Sequence, residues 1–154
     1  MYPFYEDLFD RFHELHAEII KNLDGLPQEA LDWQSGPEMN SICVLVVHLT
    51  GAERYWIGDV VMGDPSIRNR EAEFQVTGLD AGALIQRIKD VEAYIAQSFV
   101  KLELQDLEKR HRNPSNGREL TTAWALTHAL EHTAIHLGHI QLMRQLWKPK
   151  ITGS

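Results

Sequence analysis

Residues 128–140, HALEHTAIHLGHI, place His128, His132, His136 and His139 inside a stretch that otherwise has the pattern of a core helix. The helix can start at Thr121 or Thr122, either of which can cap it, and it runs to about Trp147, where Lys148 and Pro149 close it. A helix with an apolar task has no ordinary use for so many imidazoles. With eight histidines in 154 residues, a pair at spacing four arises by chance about 0.4 times, so one pair says little. Three in register, His128, His132 and His136, have a chance expectation of roughly 0.02, which demands a reason beyond composition.

Three comparable helices precede this one. Phe4, Leu8, Phe12, Leu15, Ile19 and Leu23 recur at spacings of three or four and line one face of a first helix, ended by Gly25 and Pro27. After a linker, LPQEALDWQSGPEMN (26–40), Asn40 or Ser41 can cap a second helix, with Ile42, Leu45, Leu49, Ala52, Trp56 and Val60 inward and Gly63-Asp64-Pro65 as its stop. The polar stretch SIRNREAEFQVTG (66–78) leads to Asp80, which can cap a third helix with Leu84, Ile88, Val91, Ile95 and Leu102 inward. A second polar connection, HRNPSNGREL (111–120), reaches the histidine helix. The pattern predicts four helices and no clear strand. Helices of roughly 20 to 26 residues, about 30 to 40 Å long, are expected to share one core as an all-α four-helix bundle, a single domain over residues 1–150. The two middle connections are long enough for a crossover topology, which we place between helices two and three.

Composition narrows the function. The net charge of −7 argues against a nucleic-acid partner, because phosphate backbones reward clustered Lys and Arg. Lys109, Arg110 and Arg112 sit beside acids and read as a solvated turn. No stretch approaches the roughly 18 to 20 apolar residues of a membrane span, and the N-terminus lacks a secretory pattern, so a cytoplasmic protein is expected. Cys43, the single cysteine, fits a reducing compartment and reads as a buried bystander.

Two imidazoles four residues apart on a helix can converge on one ion. Three cannot, because His128 and His136 are about 12 Å apart along the axis while metal–nitrogen bonds are about 2.0 to 2.1 Å. This helix therefore offers a pair, either 128/132 or 132/136, and a third ligand must come from elsewhere. His111 lies in the basic connection, and His13 and His16 flank the apolar line of helix one beside Glu14 and Glu18. His48 stands out, because it interrupts SICVLVVHLTGA (41–52), where an unpaired imidazole would lose hydration without compensation.

These segments resemble the DinB/YfiT-like superfamily of metal-dependent four-helix bundles. ICVLVVHLTGAERYW (42–56) looks like its second-helix signature, HALEHTAIHLGHI like its fourth, and LDGLPQEALDW (23–33) is similar to its connection after helix one. The resemblance implies His48, His132 and His136 as metal ligands and makes His128 a supporting or core residue. Some relatives carry Gln and others His at the position of His139, whose role stays open. Gly138 would allow close helix packing near the metal, and homodimerisation is plausible from the resemblance.

Three neutral ligands would leave a divalent ion, of the zinc, nickel or iron kind, with its charge uncompensated and a position open, as in a catalytic site. Such an ion can generate hydroxide for hydrolysis or hold a small thiol as thiolate for attack on an electrophile. Several branches of the superfamily look like S-transferases that use bacillithiol, mycothiol or glutathione, so the expectation is a thiol S-transferase acting on small molecules with a low-molecular-weight thiol as cosubstrate. A metal-dependent hydrolase and a non-catalytic bundle fastened by its ion are the alternatives. No catalytic residue is assigned. Glu53 and Glu131 are candidates for a base or for support of the ligands but read more readily as surface carboxylates, and Tyr55, Trp56 and Trp124 could line an apolar pocket but read more readily as core.

Overall fold

The computed structural model describes residues 1–149; Lys150, the last residue of the expected domain, lies outside the described residues. Four long helices form the bundle. Helix α1 spans Pro3–Leu23, and a short helix α2, Gln28–Asp32, follows in the connection read as plain linker. Helix α3, Ile42–Glu53, continues without a break into a π-helical segment, Arg54–Met62. A one-turn helix α4, Arg70–Glu73, precedes α5, Ala81–Val100, and α6 spans Thr122–Leu146.

The helix starts follow local chemistry. Pro3 begins α1, where its missing N–H costs nothing. Ser41, Asp80 and Thr121 cap α3, α5 and α6 by accepting from the N–H groups of Val44, Ala83 and Trp124, each worth about 1 kcal/mol. Gly63, at φ 66°, ends the π-helical segment in a left-handed conformation that a side chain would strain.

Two apolar clusters fix how the helices run. One joins Ile19 and Leu23 at the end of α1, Ile42 and Leu45 at the start of α3, Leu84 and Ile88 at the start of α5, and Ile140 and Met143 at the end of α6. The other joins Tyr5 and Phe12, Ile57 and Val60, Ile95 and Phe99, and Ala125 and Leu126. Hence α3 and α5 run parallel, while α1 and α6 run the other way. The connection between helices two and three must therefore travel back along the bundle, which is the expected crossover, and α4 packs on α3 along the way. Helix α1 packs on α5 and α6, as α3 does, so α1 and α3 face each other across the diagonal.

Several expectations are corrected. Phe4 is 46% exposed, and Tyr5 takes the buried place because it stands seven residues before Phe12 and fourteen before Ile19, on the same face. Leu102 is buried but lies beyond the end of α5. Two three-residue strands, β1 (Arg110–Arg112) and β2 (Glu119–Thr121), pair antiparallel where a strandless connection was expected. The turn at 113–117, with Gly117 at φ 73°, supplies the hairpin geometry. Arg110 and Arg112 are exposed on that hairpin, and Cys43 is buried as expected.

Candidate metal centre

Helices α3 and α6 pack antiparallel, and that contact brings His48 against two successive turns of α6. His48 Nε2 lies 3.1 Å from His132 Nε2, which in turn lies 3.1 Å from His136 Nε2. One ligand atom from each of the three falls within 4.8 Å of the others. A shared proton can satisfy one such pair but not a cluster, whereas a tetrahedral cation with bonds of about 2.0 to 2.1 Å holds its nitrogens roughly 3.3 Å apart. The donor set thus fits a divalent ion.

The rings are also in the right charge state. Burial, followed by the neighbouring imidazoles of His136, His48 and His128 and by Arg68, lowers the pKa of His132 to about 3. Burial, His48 and His139 lower that of His136 to about 4. Both rings are neutral at pH 7 and keep a lone pair for a metal.

His48 is 5% exposed and held from behind. Its Nδ1–H donates to Glu73 Oε1 at 3.0 Å, leaving Nε2 as the free acceptor. Glu73 receives Arg68 Nε on Oε2 and Arg68 Nη2 on Oε1, both at 2.8 Å. Burial opposes ionisation of Glu73, but hydrogen bonds from His48 and Arg68 and the charge of Arg68 outweigh it and hold the carboxyl below its ordinary value. Gly51, one turn after His48, makes room: a Cβ there would lie 2.3 Å from Glu73 Oε2. By contrast, His132 Nδ1 is buried with no hydrogen-bond partner among the described residues.

The other histidines separate cleanly. His128 stacks on Trp124, with centroids 4.7 Å apart, and meets Trp56 edge-on. His139 is exposed, with Nδ1 3.2 Å from His136 Nδ1. His111 Nε2 pairs with Thr122 Oγ1 at 2.7 Å. Gly138 does not serve close packing, since a Cβ there would meet nothing within 4 Å.

Glu131 is exposed as read, but Glu53 is fully buried, which reverses its reading as a surface carboxylate. It faces the bundle axis, where His16 Nε2–H donates to both its oxygens at 3.0 Å and Thr133 Oγ1 donates to Oε1. His16 Nδ1–H donates to Glu92 at 2.8 Å. Burial alone would lower the pKa of His16, but Glu53 and Glu92 raise it to about 9, so His16 is an imidazolium. Each member of this belt falls in sequence between residues of the two apolar clusters, at the bundle's waist.

Sequence reasoning missed Glu73, Arg68 and the pairing of His16. The one local sign was Asn69, which caps α4 by accepting from the Ala72 N–H three residues on.

A cleft of about 490 Å³ opens beside the cluster, reached by His48 and His132. Tyr55, Trp56, Trp124 and His128 form its aromatic wall, so the three aromatics are half-buried pocket lining as well as core packing. The π-helical segment carries Tyr55 and Trp56, and Tyr55 Oη donates to Asn113 Oδ1 at 2.5 Å, tying the hairpin over the cleft. Another cleft, about 550 Å³, lies between α3, the crossover and α5 and includes none of the histidines. No helix among the described residues is long and apolar enough to cross a membrane.

Residues 7–149 match the family model described as mycothiol-S-transferase. No curated protein matches the sequence. Among solved structures, a conserved protein from Enterococcus faecalis is 11% identical with a TM-score of 0.80, over 95% of this chain and 98% of that one. A DinB-like protein from Bacillus cereus is 16% identical with a TM-score of 0.74, over 91% and 90%. YfiT from Bacillus subtilis, described as a "probable metal-dependent hydrolase with an unusual four-helix bundle topology", is 15% identical with a TM-score of 0.76, over 96% and 91%. At these identities the structural likeness establishes the fold.

Proposed function

The chain belongs to the mycothiol-S-transferase family and to the DinB/YfiT-like superfamily, and from that premise we propose that it is a metal-dependent enzyme transferring a low-molecular-weight thiol to a small electrophile. His48, His132 and His136 would hold the ion, of the zinc, nickel or iron kind. The observation that carries this reading is the convergence of three imidazoles, His48, His132 and His136, at the edge of an aromatic-walled cleft. Bound there, a divalent ion would supply the positive charge that favours thiolate over thiol at neutral pH.

The chain's own residues do the rest. Glu73 and Arg68 fix the ring of His48, so that its Nε2 stays aimed at the other two imidazoles. Tyr55, Trp56 and Trp124 offer apolar surface to an electrophile and limit water beside it. Among the described residues that line the cleft there is no Asp or Glu, so none of them offers a carboxylate general base. Ionisation of either nucleophile would then fall to the cation, and the choice of a thiol over water rests on the family match. The fold likeness to YfiT supports metal-dependent hydrolysis as the second reading.

Protein loaded with each candidate ion in turn, mixed with a bimane electrophile and a panel of thiols, tests the choice. Turnover that needs both metal and thiol is expected. Metal-dependent ester cleavage without thiol, and no conjugation with it, would move the assignment to hydrolysis.

A further inference from the structure

The charges around the histidine cleft run against those of the chain. The sequence carries 22 acidic residues against 15 Lys and Arg, yet among the described residues the cleft is lined by Arg68, Arg70 and Arg118 and by no carboxylate. Arg68 is neutralised by its paired bonds to Glu73. Arg70 and Arg118 have no carboxylate partner among the described residues. Instead, the Arg70 guanidinium lies over the Phe74 ring at 5.1 Å and that of Arg118 over Trp124 at 4.9 Å.

An arginine stacked on an aromatic face is held in orientation while the N–H groups around its edge stay available, the geometry that suits paired bonds to a carboxylate. The two sit on different elements, Arg70 on α4 in the crossover and Arg118 beside the hairpin turn. The backbone N–H of Arg118 donates to Asn116 Oδ1, which ties it to that turn. With a cation on the three histidines the cleft would become still more positive.

We infer that this cleft selects a ligand bearing carboxylates, with Arg70 and Arg118 as its anion-binding residues, so that the thiol cosubstrate is an acidic thiol rather than an uncharged sugar thiol. The identification of the ligand as a thiol rests on the function proposed above; the preference for carboxylates rests on the arginines alone.

Calorimetric titration of metal-loaded and metal-free protein with reduced glutathione, S-methylglutathione and glutathione diethyl ester separates the two. The inference expects reduced glutathione to bind about tenfold or more tightly than its diethyl ester. An Arg70→Gln/Arg118→Gln double variant, altered only at exposed positions, should level the two. Equal affinity of acid and ester, survival of the preference in the double variant, or no binding of any of the three at millimolar concentration would overturn it. The thiol reading is judged separately: it expects loaded metal to strengthen binding of reduced glutathione but not of S-methylglutathione. Should metal fail to do so while the acid still outbinds the ester, the carboxylate preference stands and the thiol assignment falls.

Discussion

His48 Nδ1 lies 3.0 Å from Glu73 Oε1, so a residue of the crossover orients an imidazole of the second bundle helix. The connection that returns along the bundle thereby becomes part of the site. Replacing Glu73 with Ala removes the acceptor that sets the tautomer of His48, and losses of about 10- to 100-fold in metal affinity are typical of such partners. Competition with a chromogenic chelator measures this, and affinity unchanged from wild type would show that Glu73 does not position the ring.

Two glycines give a sharper contrast. Ala normally stabilises a helix interior over Gly by up to about 1 kcal/mol. At Gly51 the added Cβ would fall 2.3 Å from Glu73 Oε2, so Gly51→Ala should weaken metal binding as Glu73→Ala does. At Gly138, closer in sequence to His136, a Cβ meets nothing, so Gly138→Ala should keep metal affinity and gain stability. Thermal unfolding and chelator competition on both variants check the pair, and like behaviour would contradict the account.

The reach of the sequence is visible in these residues. Period-four apolar stripes, Ser41, Asp80 and Thr121 as caps, and the triple His register made the bundle readable. They did not reveal how α6 and α3 align, and the metal set therefore came from family resemblance rather than spacing. Glu73 and Arg68 stayed hidden because a polar crossover has no periodicity to show which side chains turn inward. Glu53 was misread because helical phase places a residue on a face without saying whether that face meets water or a diagonal neighbour such as His16.

The His16–Glu53 pair predicts a pH dependence with a definite sign. His16 has its folded pKa raised to about 9 from the ordinary histidine value of 6.5, so its contribution is full below about pH 6.5 and is lost as pH rises through about 9. Unfolding by denaturant between pH 6 and 10 should show stability falling along that interval. His16→Ala should cost about 3 to 5 kcal/mol at pH 7 by leaving Glu53 buried and unpaired, and should flatten the decline. A wild-type curve that is level from pH 7 to 10 would contradict the assignment of His16 as an imidazolium.

His128 packs on tryptophans and His139 is exposed, so neither is required for a cation held by the other three. His128→Ala and His139→Ala should each retain full metal content by elemental analysis, whereas His132→Ala should not. Loss of the ion in the His128 variant with the fold intact would move the site one turn along α6.

Elemental analysis of the purified protein beside His48→Ala, after dialysis of both, tests the shared cation most directly. One divalent ion per chain is expected in the unaltered protein and none in the variant, since two imidazoles on α6 alone leave the ion without its ligand from α3. Full stoichiometric metal in a folded His48→Ala protein would contradict a cation shared between the two helices.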